Sequence, residues 1–239
     1  MKNKEYENFI LLKKSIAENA QNQYLPHQRQ IRLKRSQKKF LSKDEKSKIR
    51  RKEIALDLKE LSRNLNYEKN VLSVGCRNLY EINFLSGINK NFNVKGIDLA
   101  PNDSSNIIQG NVENFLDIKG NKISPFGVNN IDIVYSSHNL EHLSQPMQHF
   151  EKLLEISGNE LLCYYILPCW NGTSGPTNDH PNYIHCTHSW ELFTNENMHA
   201  YLKEVLPANT NVEVIFTRYK MSICDDLRCA FRVTKHRQS

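Results

Sequence analysis

The feature that most constrains this chain is a short apolar run that closes on a glycine and opens a helix, Val71-Leu72-Ser73-Val74-Gly75-Cys76-Arg77-Asn78-Leu79-Tyr80-Glu81-Ile82. About twenty residues further on, Gly96-Ile97-Asp98-Leu99 reads as a second strand that ends in an acid. Glycine lets the backbone turn sharply and approach a ligand closely. An acid at the end of the next strand stands at the right distance to accept hydrogen bonds from ribose hydroxyls. The pair therefore points to a ligand that carries a ribose. A dinucleotide site would call for G-x-G-x-x-G, and here Arg77 and Leu79 stand where small residues are expected. An ordinary strand-to-helix turn would show the same single glycine.

The remainder of the chain separates these readings. Ile107-Ile108-Gln109-Gly110-Asn111-Val112-Glu113-Asn114-Phe115 follows, and then Ile131-Asp132-Ile133-Val134-Tyr135-Ser136-Ser137-His138-Asn139-Leu140-Glu141-His142-Leu143. In their order and spacing, over roughly residues 70–170, these segments resemble the class I S-adenosylmethionine-dependent methyltransferases. The L-E-H-L after the fourth strand is the most specific part.

The resemblance implies a doubly wound, Rossmann-like α/β sheet with a terminal antiparallel β-hairpin. It implies S-adenosylmethionine as cofactor and S-adenosylhomocysteine as product. Gly75 and Cys76 would supply the close backbone turn, Asp98 would bind the ribose, and Leu99 would flank the adenine. Asn111 and Val112 would lie beside the adenine ring, although Asn111 also suits a turn cap. Ser137 and His138 would line the methionine side. Two departures stand out. Family members commonly carry an acid where Ser73 stands, and it helps bind the amino end of the cofactor. They also carry glycine where Arg77 and Leu79 stand. Arg77 is read either as a ligand of the cofactor carboxylate or as a solvated residue at the helix start.

Strands are expected at 71–74, 93–97, 106–109, 131–135, 160–167, 212–218 and 227–233, and helices at 78–88, 145–157 and 190–205. This alternation means a mostly parallel sheet. Ahead of it, Ser42-x-x-Glu45 reads as a capping box. The helix it opens carries Ile49, Ile54, Leu58, Leu61 and Leu65 at helical spacing, a stripe suited to docking on the domain. The expected organisation is a basic helical extension over residues 1–69 and a methyltransferase domain over 70–239.

Charge is unevenly spread. The 239 residues carry a net charge of +6, yet residues 26–52 hold twelve Lys/Arg against Asp44 and Glu45, so this segment alone is +10. Three readings stay open for it: a solvated helical face, a nucleic-acid arm, or a contact with an anionic lipid or glycan carrier. With Phe40 as its only aromatic residue after Leu25, it offers no stacking platform for bases. No apolar run is long enough to span a bilayer, and the opening Met1-Lys2-Asn3-Lys4 lacks the apolar core of a secretory signal. The six cysteines are accordingly read as thiols and the protein as cytoplasmic.

Seven of the nine histidines fall between 138 and 199. A hydroxyl acceptor needs a base, and a histidine near neutrality suits the task. The loop after the fifth strand should roof the acceptor pocket, so His185 and His180 are the favoured bases, with Asp179 as orienting carboxylate and His138 next in line. His142 is assigned a buttressing role. Cys169, His180, His185, Cys186 and His188 lack a metal-ligand spacing, and no metal is expected. The expected reaction is O-methylation of a small molecule or glycan. The alternatives are methylation of RNA through the basic arm, and a degenerate member that binds cofactor or partner without catalysis.

Overall fold

The computed structural model describes residues 43–63, 67–76, 78–101, 106–127, 130–140, 143, 145–168, 195–220 and 226–236. The elements run in the order α1 (Lys43–Leu61), β1 (Lys69–Val74), α2 (Leu79–Ser86), β2 (Phe92–Asp98), β3 (Ile107–Asn111), β4 (Leu116–Asp117), β5 (Ile131–Ser137), α3 (Pro146–Ile156), β6 (Ser157–Pro168), α4 (Asn195–Val205), β7 (Thr210–Lys220) and β8 (Asp226–Lys235).

Local chemistry explains the boundaries. Asn78 caps α2, its side chain accepting from the Tyr80 amide at 3.0 Å. Pro146 stands in the first turn of α3, where its missing amide proton costs no hydrogen bond. In β1, Val71, Leu72, Ser73 and Val74 are all buried. Burial on both faces is what a central parallel strand requires.

The eight strands form one sheet in the order β4-β3-β2-β1-β5-β6-β8-β7. β3, β2, β1, β5 and β6 are mutually parallel. β8 lies antiparallel between β6 and β7, giving the terminal hairpin its one reversed strand. The two-residue β4, antiparallel to β3, is an addition that periodicity does not reveal. From β1 the chain moves outward through β2 and β3, then returns to place β5 on the other side of β1. β1 and β5 therefore flank the point where strand order reverses, the place where open α/β sheets bind ligands.

One core cluster joins the sheet to α3 and α4 through Phe150, Leu153, Met198, Tyr201 and Leu202. The other joins it to α1 and α2 through Ile54, Leu58, Ile82 and Leu85. Ile54 and Leu58 are thus the docking face of the stripe, while Leu65 lies outside the described residues. Asp57, one turn along, is buried as well. It accepts from Tyr164 Oη at 2.8 Å, is ion-paired to Arg228 at 2.7 Å, and is bonded by Arg218, which also reaches Glu60 at 3.0 Å. A buried carboxylate that meets two guanidinium groups and a phenol fixes α1 to β6, β7 and β8 in one register.

Candidate cofactor crevice

The parallel strands bring their carboxyl ends to one edge of the sheet. Along that edge lie Gly75 and Cys76 after β1, Asp98 and Leu99 after β2, Asn111 and Val112 after β3, and Ser137 and His138 after β5.

Gly75 holds φ +74°, a left-handed conformation that glycine adopts freely. Its amide donates to the Ile97 carbonyl at 2.9 Å, tying the turn to β2. A Cβ at this position would stand 2.6 Å from Asn139 Oδ1. The side chain of Asn139 therefore lies directly against the turn. Its Nδ2 is buried with no hydrogen-bond partner among the described residues. Cys76 points away from the edge. Its Sγ fills the space beside Gly96, and burial pushes the thiol up to about 12, with Glu81 and Asp98 adding to the shift.

Asp98 closes β2, and its Oδ1 accepts from the Ala100 amide at 2.8 Å, which orients the carboxylate at the strand end. Leu99 is 65% exposed, an apolar surface presented beside that acid. Asn111 accepts from the Glu113 amide at 2.7 Å, so it does cap its own turn. Val112 is packed in the core, and its carbonyl meets His149 Nδ1 at 2.6 Å. Because a carbonyl only accepts, Nδ1 carries the proton and Nε2 accepts from Tyr165 Oη at 2.9 Å. Burial drives His149 down to about 4, so it is a neutral, structural histidine that holds the loop after β3.

Across the switch point, Ser136 donates to the Val74 carbonyl at 3.2 Å. His138 adopts φ +53° and donates its amide to the Ile166 carbonyl at 2.9 Å. A left-handed non-glycine residue is uncommon, and such backbone concentrates at functional sites. Ser137 Oγ accepts from Arg50 Nη2 at 3.0 Å, an interaction that crosses from α1.

Three residues here escape a reading by motif: Arg50, Asn139 and Glu81. Arg50 is one of twelve cations in a run. Asn139 is one polar residue beside a conspicuous histidine. Glu81 lies on α2, where Ser73 donates to it from β1. The available signal was Ser73 itself, a neutral residue where an acid is expected, with an acid in the first turn of the helix that follows. Arg77, Asp179, His180, His185, His142 and most of the 26–52 segment lie outside the described residues. Among the described residues no three His, Cys, Asp or Glu side chains gather as a metal site, and no helix is long and apolar enough to cross a membrane.

S-adenosylmethionine makes four demands: a close backbone turn, an acceptor for the ribose, an apolar flank for adenine, and polar groups for its amino-acid end. The left-handed Gly75, Asp98, Leu99 and the unpartnered Asn139 Nδ2 fit them on one edge. The sheet order, crevice position and hairpin define the fold of the class I S-adenosylmethionine-dependent methyltransferases. Among solved structures, the plantazolicin methyltransferase BpumL in complex with SAH is similar at 15% identity and a TM-score of 0.55, over 98% of this chain and 99% of that one. The plantazolicin methyltransferase BamL, in complex with a triazolic desmethylPZN analog and SAH, is similar at 15% identity and a TM-score of 0.57, over 95% and 98%. No protein-family model and no curated protein matches the sequence.

Proposed function

We propose that the protein transfers a methyl group from S-adenosylmethionine to an oxygen of a small-molecule or glycan acceptor. The observation that carries the reading is the joint placement of Gly75, Asp98 and Asn139 around the switch point of a methyltransferase fold. The SAH bound in both similar structures supports the choice of cofactor, and the desmethylPZN analog in one supports an acceptor outside the nucleic acids.

When bound, the cofactor supplies a methyl group already activated on a sulfonium. The protein's own residues then position and deprotonate. Asp98 accepts from the ribose hydroxyls, Leu99, Asn111 and Val112 bracket the adenine, and Ser137 and His138 line the methionine side. A histidine of the 169–189 loop, His185 or His180 with Asp179 behind it, takes the proton of the acceptor hydroxyl. A crystal structure with S-adenosylhomocysteine tests this arrangement. The ribose is expected within hydrogen-bond distance of Asp98, and a ribose bound elsewhere overturns it.

A further inference from the structure

The strand position that should carry an acid is Ser73, which is neutral and fully buried. Its hydroxyl nevertheless ends on a carboxylate, donating to Glu81 Oε1 from one turn into α2. Glu81 is partly buried and lies within the electrostatic reach of Arg50 from α1, Asp98 from β2 and the Cys76 thiol after β1. Arg50 in turn donates to Ser137 at the end of β5. One carboxylate and one guanidinium thus converge on the same side of the switch point. They are delivered by two helices, α1 and α2. On this face of the sheet the core beside the pair is formed by Val71, Ile82 and Leu85.

An α-amino acid carries one cation and one anion on a single carbon, and the pair matches it in number and sign. We propose that Glu81 and Arg50 form a clamp for the amino-acid end of the cofactor, Glu81 taking the ammonium and Arg50 the carboxylate. The acid missing from β1 is supplied by α2, with Ser73 retained to orient it. The inference rests on the S-adenosylmethionine reading of the crevice.

The clamp has a consequence that a fixed strand acid would lack. Burial, with Asp98 adding to it, raises Glu81 to about 7, against the opposing effects of the Ser73 hydrogen bond and Arg50. Near neutrality a large part of the empty protein therefore holds Glu81 as the neutral acid. Binding of an ammonium group selects the carboxylate, and the proton leaves to solvent. The affinity of any ligand with the amino-acid end should fall as pH drops through 7.

Calorimetry of the full chain with two probes tests this. S-adenosylhomocysteine carries the amino-acid end, and 5′-methylthioadenosine lacks it. For the wild type, S-adenosylhomocysteine affinity is expected to fall about 10-fold from pH 8 to pH 6, because a group of pKa near 7 is ~90% ionised at the first and ~10% at the second. Proton release should appear as a dependence of the heat on buffer ionisation enthalpy. Methylthioadenosine should show neither. Glu81→Gln and Arg50→Gln should each weaken S-adenosylhomocysteine at pH 8 by at least about 10-fold and leave methylthioadenosine unchanged, which also reports that the variants are folded. Wild-type binding of S-adenosylhomocysteine that is independent of pH and releases no proton overturns the clamp alone. Unchanged S-adenosylhomocysteine affinity in both variants does the same. Failure of the wild type to bind either probe overturns the cofactor reading beneath it.

Discussion

Asn139 occupies the space that a side chain at Gly75 would need, with its Oδ1 2.6 Å from where that Cβ would lie. The turn after β1 and the loop after β5 are thereby fitted to each other across the switch point. Gly75→Ala should disturb both at once, since alanine must adopt φ +74° and displace Asn139. The left-handed backbone alone costs about 1–2 kcal/mol. We expect that loss in denaturant unfolding, together with a clear drop in S-adenosylhomocysteine affinity. A variant with wild-type stability would mean the loop after β5 gives way freely.

The neutral His149 makes stability depend on pH. Its folded pKa is depressed, to about 4 from an ordinary 6.5. The contribution is therefore complete above pH 6.5 and lost as pH falls towards 4, reaching about 3 kcal/mol at the limit. Unfolding midpoints at pH 7.5 and 4.5 for the wild type and His149→Gln check this. The wild type should lose more stability than the variant over that interval, and parallel losses would show that His149 titrates normally.

Much of the fold was legible because its signals are local. Val71–Val74 and Ile131–Tyr135 are short, mostly apolar runs rich in β-branched residues, and Val212–Arg218 alternates, so period and length place them in a sheet. The positions of Gly75 at a left-handed turn and of Asp98 at the end of β2 were legible because a strand run followed by glycine, and a second run ending in an acid, are both local signals. The Glu81–Arg50 pair was not, because it joins residues thirty-one positions apart, counting from 50 to 81, through tertiary packing. Asp57 was hidden for the same reason. An acid on a basic helix looks solvated until β6, β7 and β8 deliver Tyr164, Arg218 and Arg228 around it.

That buried acid yields a third expectation. Asp57→Ala leaves Arg228, itself only 8% exposed, without its closest countercharge. Removing one partner of a buried pair costs about 3–5 kcal/mol, a loss that thermal unfolding would register. α1 should loosen first, carrying Arg50 away from Ser137. Hydrogen exchange should accordingly rise across residues 50–61 before it rises in β1. Uniform exchange would place α1 in the same unfolding unit as the sheet.

The acceptor chemistry is tested by turnover. Once an acceptor is found, His185→Ala or His180→Ala should lower turnover by about 10²–10⁴-fold with S-adenosylhomocysteine affinity near wild type. If both variants keep full turnover, the base lies elsewhere, with His138 next, or positioning alone suffices.

The central claim is that the crevice between β1 and β5 binds this cofactor through Asp98, and titration with S-adenosylhomocysteine tests it most directly. Calorimetry at pH 8 should give one saturable site per wild-type chain. Asp98→Ala should weaken that site by about 1.5–3 kcal/mol, the loss expected for a charged hydrogen-bond acceptor. Binding to a folded Asp98→Ala variant at wild-type affinity, or no binding by the wild type, would contradict the account.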